Sequence, residues 1–121
     1  MAMDPQKKTE WVAALRSGKY EQCTSHLHTK NGGGYCCLGV LADIQPGVHW
    51  AGGNGYDGRM VPMIGDIHLS YGGLDESTLS GRLSATFSIE MGILRESAEL
   101  MAMNDKGKSF AEIATYIEEK L

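Results

Sequence analysis

The chain has little of what marks the commonest special classes of protein. Its 121 residues include only three prolines, three cysteines and two phenylalanines, and aromatic residues total 7%. Three cysteines, of which Cys36 and Cys37 are adjacent, do not make the even framework of a disulfide-stapled secreted domain. A buried, small, apolar role suits the adjacent pair better. No apolar run approaches the roughly 18 residues that a membrane span requires. The opening residues MAMDPQKKTEW lack the apolar stretch of a secretory signal. Positive charge is also short: 11 lysines and arginines against 15 aspartates and glutamates leave a net charge of −4. That balance argues against a general polyanion binder, whose phosphate contacts need clustered cations. A cytoplasmic protein is the expectation.

What is present is ordinary in bulk and uneven in distribution. Hydrophobic residues make up 42% and charged residues 21%, which is typical of a globular domain. The length predicts one domain over residues 1–121, long enough to build a core without staples. Asp4-Pro5 reads as a helix N-cap followed by proline in the first turn. Lys8, Trp11, Val12 and Leu15 then recur at helical spacing, and Gly18 stands where a helix would stop, so a helix is expected over Pro5–Ser17. KYEQCTSHLHT alternates roughly and predicts a short strand or extended segment. In Tyr35–Ile44, Cys37, Val40, Leu41 and Ile44 follow i, i+3, i+4, i+7 spacing, which supports a buried helix, with a short buried strand as the alternative. Gly39 in its middle points to close packing against another element.

Gln45–Gly73 changes character. Glycine is dense there, and Asn54-Gly55 and Asp57-Gly58 are turn signals. MIGDIHLSY predicts a strand, paired with GVHW or GRMV in a small hairpin. A turn-rich insert of this length in a small domain is where binding specificity is expected. The last third predicts helices: LDESTLSGRL with Asp75 as N-cap, then GILRESAELMAM with Ile93, Leu94, Ser97, Leu100 and Met101 on one side. The final segment is clearest, with the capping box Ser109…Glu112 and an apolar stripe of Phe110, Ile113, Ala114, Ile117 and Leu121. The last two elements are expected to form an antiparallel pair. The predicted fold is α+β and α-dominated, with about four helices and a small β-hairpin from the glycine-rich insert.

Three pieces, WVAALRSGKYEQ, YCCLGVLADI and MNDKGKSFAEIATYIEEKL, together resemble a diffuse group of small proteins encoded by bacteriophages and prophages. Members of that group show an ALRSGKY-like start, a YCCLGVL-like centre and a closing MNDxGxSFxEIAxYIE-like helix. The matching residues are mostly core, cap and turn. The resemblance implies a viral or mobile-element setting, hence the host cell cytoplasm, and brings no catalytic residues with it.

Several chemistries can be weighed on their residues. Gly32-Gly33-Gly34 is followed by Tyr35 and Cys36, not by the lysine and hydroxyl of a phosphate-binding loop, so a turn is expected. Cys23, His26, His28 and Cys36 offer four zinc-type ligands, but their spacing matches no standard finger. His68-Leu69-Ser70 resembles half of a two-histidine phosphoesterase motif, whose second copy would have to be His26-Leu27-His28, without the hydroxyl. KGKSFAEIATYIEEKL resembles the first helix of a helix-turn-helix, but no reader helix follows it. Trp50, Tyr56, Asp57, Arg59 and Tyr71 in or beside the insert have the composition of a partner- or ligand-binding surface, with core packing as the alternative for Trp50 and Tyr71.

The reading that results is a non-enzymatic phage accessory protein that binds and blocks a host factor, such as an antiviral-defence protein. The first alternative is sequestration of a small nucleotide messenger, held by stacking and by arginines such as Arg59, Arg82 or Arg95. A zinc-stabilised or DNA-binding regulator is a further alternative. No cofactor, catalytic residue or resident metal is expected. The expected partner is a host protein or a small nucleotide, not a membrane and not nucleic acid, and a homo-oligomer stays open.

Overall fold

The computed structural model describes residues 3–30, 32–52, 58–70 and 82–121. Within them the order is α1 (Pro5–Arg16), β1 (His28–Thr29), α2 (Cys37–Asp43), β2 (Val48–Gly52), β3 (Arg59–Ile64), β4 (Ile67–His68), α3 (Ala85–Met91), α4 (Ser97–Asp105) and α5 (Phe110–Lys120). The fold is α+β, with five helices among the described residues in place of the expected four.

Helix α1 starts as its sequence dictates. The Asp4 carboxylate accepts the Lys7 amide at 3.4 Å, Pro5 occupies the first turn and Ser17 closes the helix. Trp11, Val12 and Leu15 form its buried stripe. Helix α5 carries the predicted capping box, and Phe110, Ile113, Ala114, Ile117 and Leu121 are all buried. Its main helical partner is α1 and not α4 as expected: the stripe of α5 lies along the helix that buries Trp11, Val12 and Leu15, each amphipathic face being covered by the other. Around this pair Arg16 donates to Glu118 at 2.8 Å and to Thr115 at 3.1 Å.

Helix α2 is the centre of the core: every residue from Cys37 to Ala42 is buried. The open choice between helix and strand resolves as helix, and Gly39 has the expected close neighbour. A Cβ at Gly39 would stand 1.8 Å from the Leu27 carbonyl oxygen. The glycine triplet is a turn. Gly32 and Gly33 have φ of +80° and +68°, and the chain returns so that Thr29 N–H bonds Gly34 O at 3.0 Å and Cys36 N–H bonds Leu27 O at 3.1 Å. The extended segment predicted before it is regular only at β1; Gln22 makes an isolated bridge to Tyr35.

The insert supplies an antiparallel sheet in which β3 is central. It pairs with β2 along its length, with β1 at one end and with β4 at the other. Val48, His49 and Trp50 of GVHW pair with Ile64, Met63 and Pro62, so the start of MIGDIHLSY lies against GVHW as one of the two expected pairings had it, while Met60 and Val61 of GRMV pair with Gly52 and Ala51. MIGDIHLSY is not one strand, because Gly65 and Asp66 form a two-residue turn between Ile64 and Ile67. Gly65 adopts φ +58° there, the left-handed region that hairpin turns use. The turns expected at Asn54-Gly55 and at Asp57, and the helix expected from Asp75, lie outside the described residues.

Helix α3 was not anticipated. Ser84 caps it and Gly92 ends it at φ +76°, but Ile89 is exposed and breaks the apolar stripe. Residues 92–96 form a turn, so GILRESAELMAM is helical only from Ser97, and Leu94 points to solvent at 49% exposure.

One buried side chain ties these pieces together. The Asn104 carboxamide accepts from Cys37 N–H at 3.1 Å and from Gln22 Nε2 at 3.0 Å, and donates to the Cys23 carbonyl at 2.7 Å. On the other side of the same residue, Trp11 Nε1 donates to the Cys37 carbonyl at 2.9 Å.

Two substitutions test this account by denaturant unfolding. Gly39→Ala gains about 1 kcal/mol of helix propensity, but the Leu27 carbonyl is backbone and cannot give way. A net loss of about 3 kcal/mol is expected, and a neutral result would contradict the close approach. Asn104→Ala strands the Cys37 amide and the Cys23 carbonyl in the interior and should cost about 2–4 kcal/mol.

Candidate functional site

Where α2, the 20–35 region and β2 meet, four aromatic rings gather around one carboxylate. Asp43, at the end of α2, accepts from the Tyr20 hydroxyl at 2.7 Å and from Trp50 Nε1 at 2.9 Å. Its two oxygens are thus divided between two rings that belong to different elements. His28 stacks on Tyr35 with centroids 3.8 Å apart and planes 7° from parallel. Trp50 meets both edge-on, at 4.9 Å from His28 and 5.7 Å from Tyr35. Tyr20 stands edge-on to Tyr35 at 5.0 Å. His28 Nδ1 lies 2.8 Å from the Gly34 carbonyl, which fixes the ring across the glycine turn.

All four rings are half-buried. Their inner edges pack on the core and their outer edges reach the surface. Burial, together with the Asp43 carboxylate, pushes the Tyr20 hydroxyl far above the usual phenol range and the Tyr35 hydroxyl upward as well. Both remain neutral hydrogen-bonding groups. The arrangement is a rigid amphipathic patch, with its faces used on one another and its polar atoms already oriented.

The sequence-predicted surface residues are distributed as follows. Trp50 belongs to this patch. Arg59 does not: Trp50 pairs with Pro62, and Arg59, three residues along β3, falls on the opposite face of the sheet with Thr29. An odd separation in a strand always reverses the side. Tyr56, Asp57 and Tyr71 lie outside the described residues. Tyr20, Tyr35 and Asp43 were missed as site residues. Their signal is only that two tyrosines and an acid lie close in sequence to predicted turns, which periodicity does not read.

The four zinc-type candidates have other engagements. The Cys36 sulfur caps α2 by accepting Gly39 N–H at 3.4 Å, and the Cys23 thiol donates to the His26 carbonyl at 3.4 Å. His28 is in the aromatic stack, and His26 is half-buried beside it in sequence. Among the described residues no three His, Cys, Asp or Glu side chains gather around a common point. The two-histidine phosphoesterase reading is likewise divided, because His28 pairs with Met60 and His68 with Met63, which puts them on opposite faces of the sheet. The helix-turn-helix-like segment is α5, whose apolar face is committed to the core.

Burial pushes the thiols up from an ordinary 9.0, to about 11 for Cys23 and about 12 for Cys36, and Cys37 rises as well. Each thiol stays protonated in the fold while the unfolded chain releases its protons from about pH 9. Stability is therefore full below that pH and falls as pH rises toward 12. Thermal midpoints measured from pH 8 to 11 should decline above about pH 9, and Cys36 and Cys37 should resist alkylation until unfolding. Midpoints that stay level, or rapid alkylation of both residues, would contradict the buried neutral thiols.

No helix among the described residues is long and apolar enough to cross a membrane. No curated protein and no solved structure matches the chain. Over residues 3–121 it matches the family model described as a domain of unknown function (DUF8296), and the chain belongs to that family.

Proposed function

We propose that this chain is a non-enzymatic accessory protein that binds and blocks a host protein, with the patch of Tyr20, His28, Tyr35 and Trp50 over Asp43 at the centre of the contact. The observation that carries the reading is the pre-oriented ring cluster itself. Tryptophan and tyrosine at protein interfaces supply most of the energy when they are rigid and already partly desolvated, and here the hydrogen bonds to Asp43 fix two rings before any partner arrives. Little rotamer entropy is then left to lose on association. The phage setting, and with it the choice of a host factor as target, rests on the resemblance of the three sequence pieces.

The nucleotide alternative fits this surface less well. A messenger held by stacking needs a free ring face and a nearby cation for its phosphates. In the patch, His28 and Tyr35 cover one another, the fixed charge is the Asp43 carboxylate, and Arg59 is on the far face of the sheet.

The test is capture from host lysate by the immobilised chain, followed by affinity measurement on the recovered partner. Trp50→Ala and Tyr35→Ala should each weaken binding by about thirtyfold, the effect of losing some 2 kcal/mol at a hot spot, with the thermal midpoint recorded to show that both variants fold. Unchanged affinity in both variants would overturn the assignment of the patch. A bound species of nucleotide mass in native mass spectrometry, with no protein partner, would overturn the inhibitor reading in favour of the messenger.

A further inference from the structure

On the face of the sheet opposite the aromatic patch, the register aligns three donors of one chemical kind. His49 on β2 pairs with Met63 on β3, and Met63 pairs with His68 on β4. Directly opposed residues in antiparallel strands share a face, so an imidazole, a thioether and a second imidazole form one row across three strands. Neighbouring strands lie about 4.8 Å apart, which leaves both histidines within side-chain reach of a point above the Met63 sulfur.

Two further observations point to a ligand there. His68 Nε2 is buried and has no hydrogen-bond partner among the described residues. A polar atom in that state calls for an explanation, an ion among them. His49 Nε2 lies 3.1 Å from the Gly65 carbonyl. Opposite an acceptor that nitrogen carries the proton, and Nδ1 is left with its lone pair. This is the usual arrangement of a ligating histidine, whose second nitrogen donates to a backbone carbonyl that orients the ring. The row also grades from exposed His49 through half-buried Met63 to half-buried His68, so an ion has an open way in and a drier seat at the far end.

We propose that His49, Met63 and His68 form a binding site for a soft monovalent cation of the copper(I) class. The donor set decides the class. Two neutral nitrogens and a thioether bring no negative charge, whereas magnesium and calcium need oxygen donors, chiefly carboxylates. Structural zinc draws on thiolate, imidazole or carboxylate and not on a thioether. Soft sulfur beside imidazole selects copper(I).

Silver(I), a redox-inert ion of the same softness, is the probe. It is titrated beyond the three cysteine equivalents into protein labelled at the methionine methyl carbons, and the methyl and histidine ring signals are followed by NMR. The Met63 methyl should shift together with the rings of His49 and His68. Met63→Leu, a volume-conserving change, and His68→Gln should each weaken the binding seen at the remaining ligands by at least about tenfold. A Met63 methyl that does not move while thiols take up the metal would overturn the site, and so would unchanged affinity in both variants. The lysate capture under Proposed function depends on the opposite face, so either result can fail without the other.

Discussion

The peptide of Cys37 is held from both sides, and the rest of the fold is arranged around that constraint. Its amide is bound by the Asn104 carboxamide and its carbonyl by the Trp11 indole. Trp11 belongs to α1, Cys37 opens α2 and Asn104 lies near the end of α4, so three helices are fixed in depth and rotation at a single buried residue. Such a network is stabilising only when complete, because a buried polar group without a partner costs more than a formed bond gains. Asn104 completes it by also taking the Gln22 amide and the Cys23 carbonyl, which brings the 20–27 segment over the same point. Leu27 can then pass so close to α2 that only glycine fits at position 39.

The three sequence pieces WVAALRSGKYEQ, YCCLGVLADI and MNDKGKSFAEIATYIEEKL each contribute to this joint. One supplies Trp11, one supplies Cys37 and Gly39, and the third includes Asn104 and the Ser109 cap. Trp11, Cys37 and Asn104 meet in the interior, where Trp11 and Asn104 are hydrogen-bonded to the Cys37 peptide. The same pieces also carry Tyr20, Tyr35 and Asp43, so the segments that build this interior joint hold most of the ring patch as well, and the sheet adds Trp50 and His28 to it.

What the sequence made legible were features with a local cause. The Asp4 cap and Pro5 start, the Ser109–Glu112 capping box, the stripe of α5 and the tight packing at Gly39 each follow from a few neighbouring residues. What it hid depended on distant partners. Helix α3 was obscured because exposed Ile89 interrupts its apolar spacing, although Ser84 and Gly92 mark both of its ends. Gly65-Asp66 is a turn that the surrounding apolar residues masked as the middle of a strand. Trp50, which the sequence left open between a surface contact and a packed residue, is half-buried against the core, and its partners Tyr20, Tyr35 and Asp43 were not legible, since their meeting needs the glycine turn and the end of α2 to be in place. Arg59 was grouped with Trp50 by proximity in sequence, and the alternation of the sheet separates them.

The pairing of the first and last helices also has a kinetic side. Arg16 and Glu118, bonded across the α1–α5 contact, are 102 residues apart in the chain, and among the described helices α5 is the main partner of α1. During synthesis at about 5–20 residues per second, α1 waits for several seconds before α5, its main helical partner, exists. A topology closed by so distant a contact folds late and as a whole, since the loop must be closed before its reward is available. A nascent chain lacking α5 is then the species most exposed to chaperones and proteases.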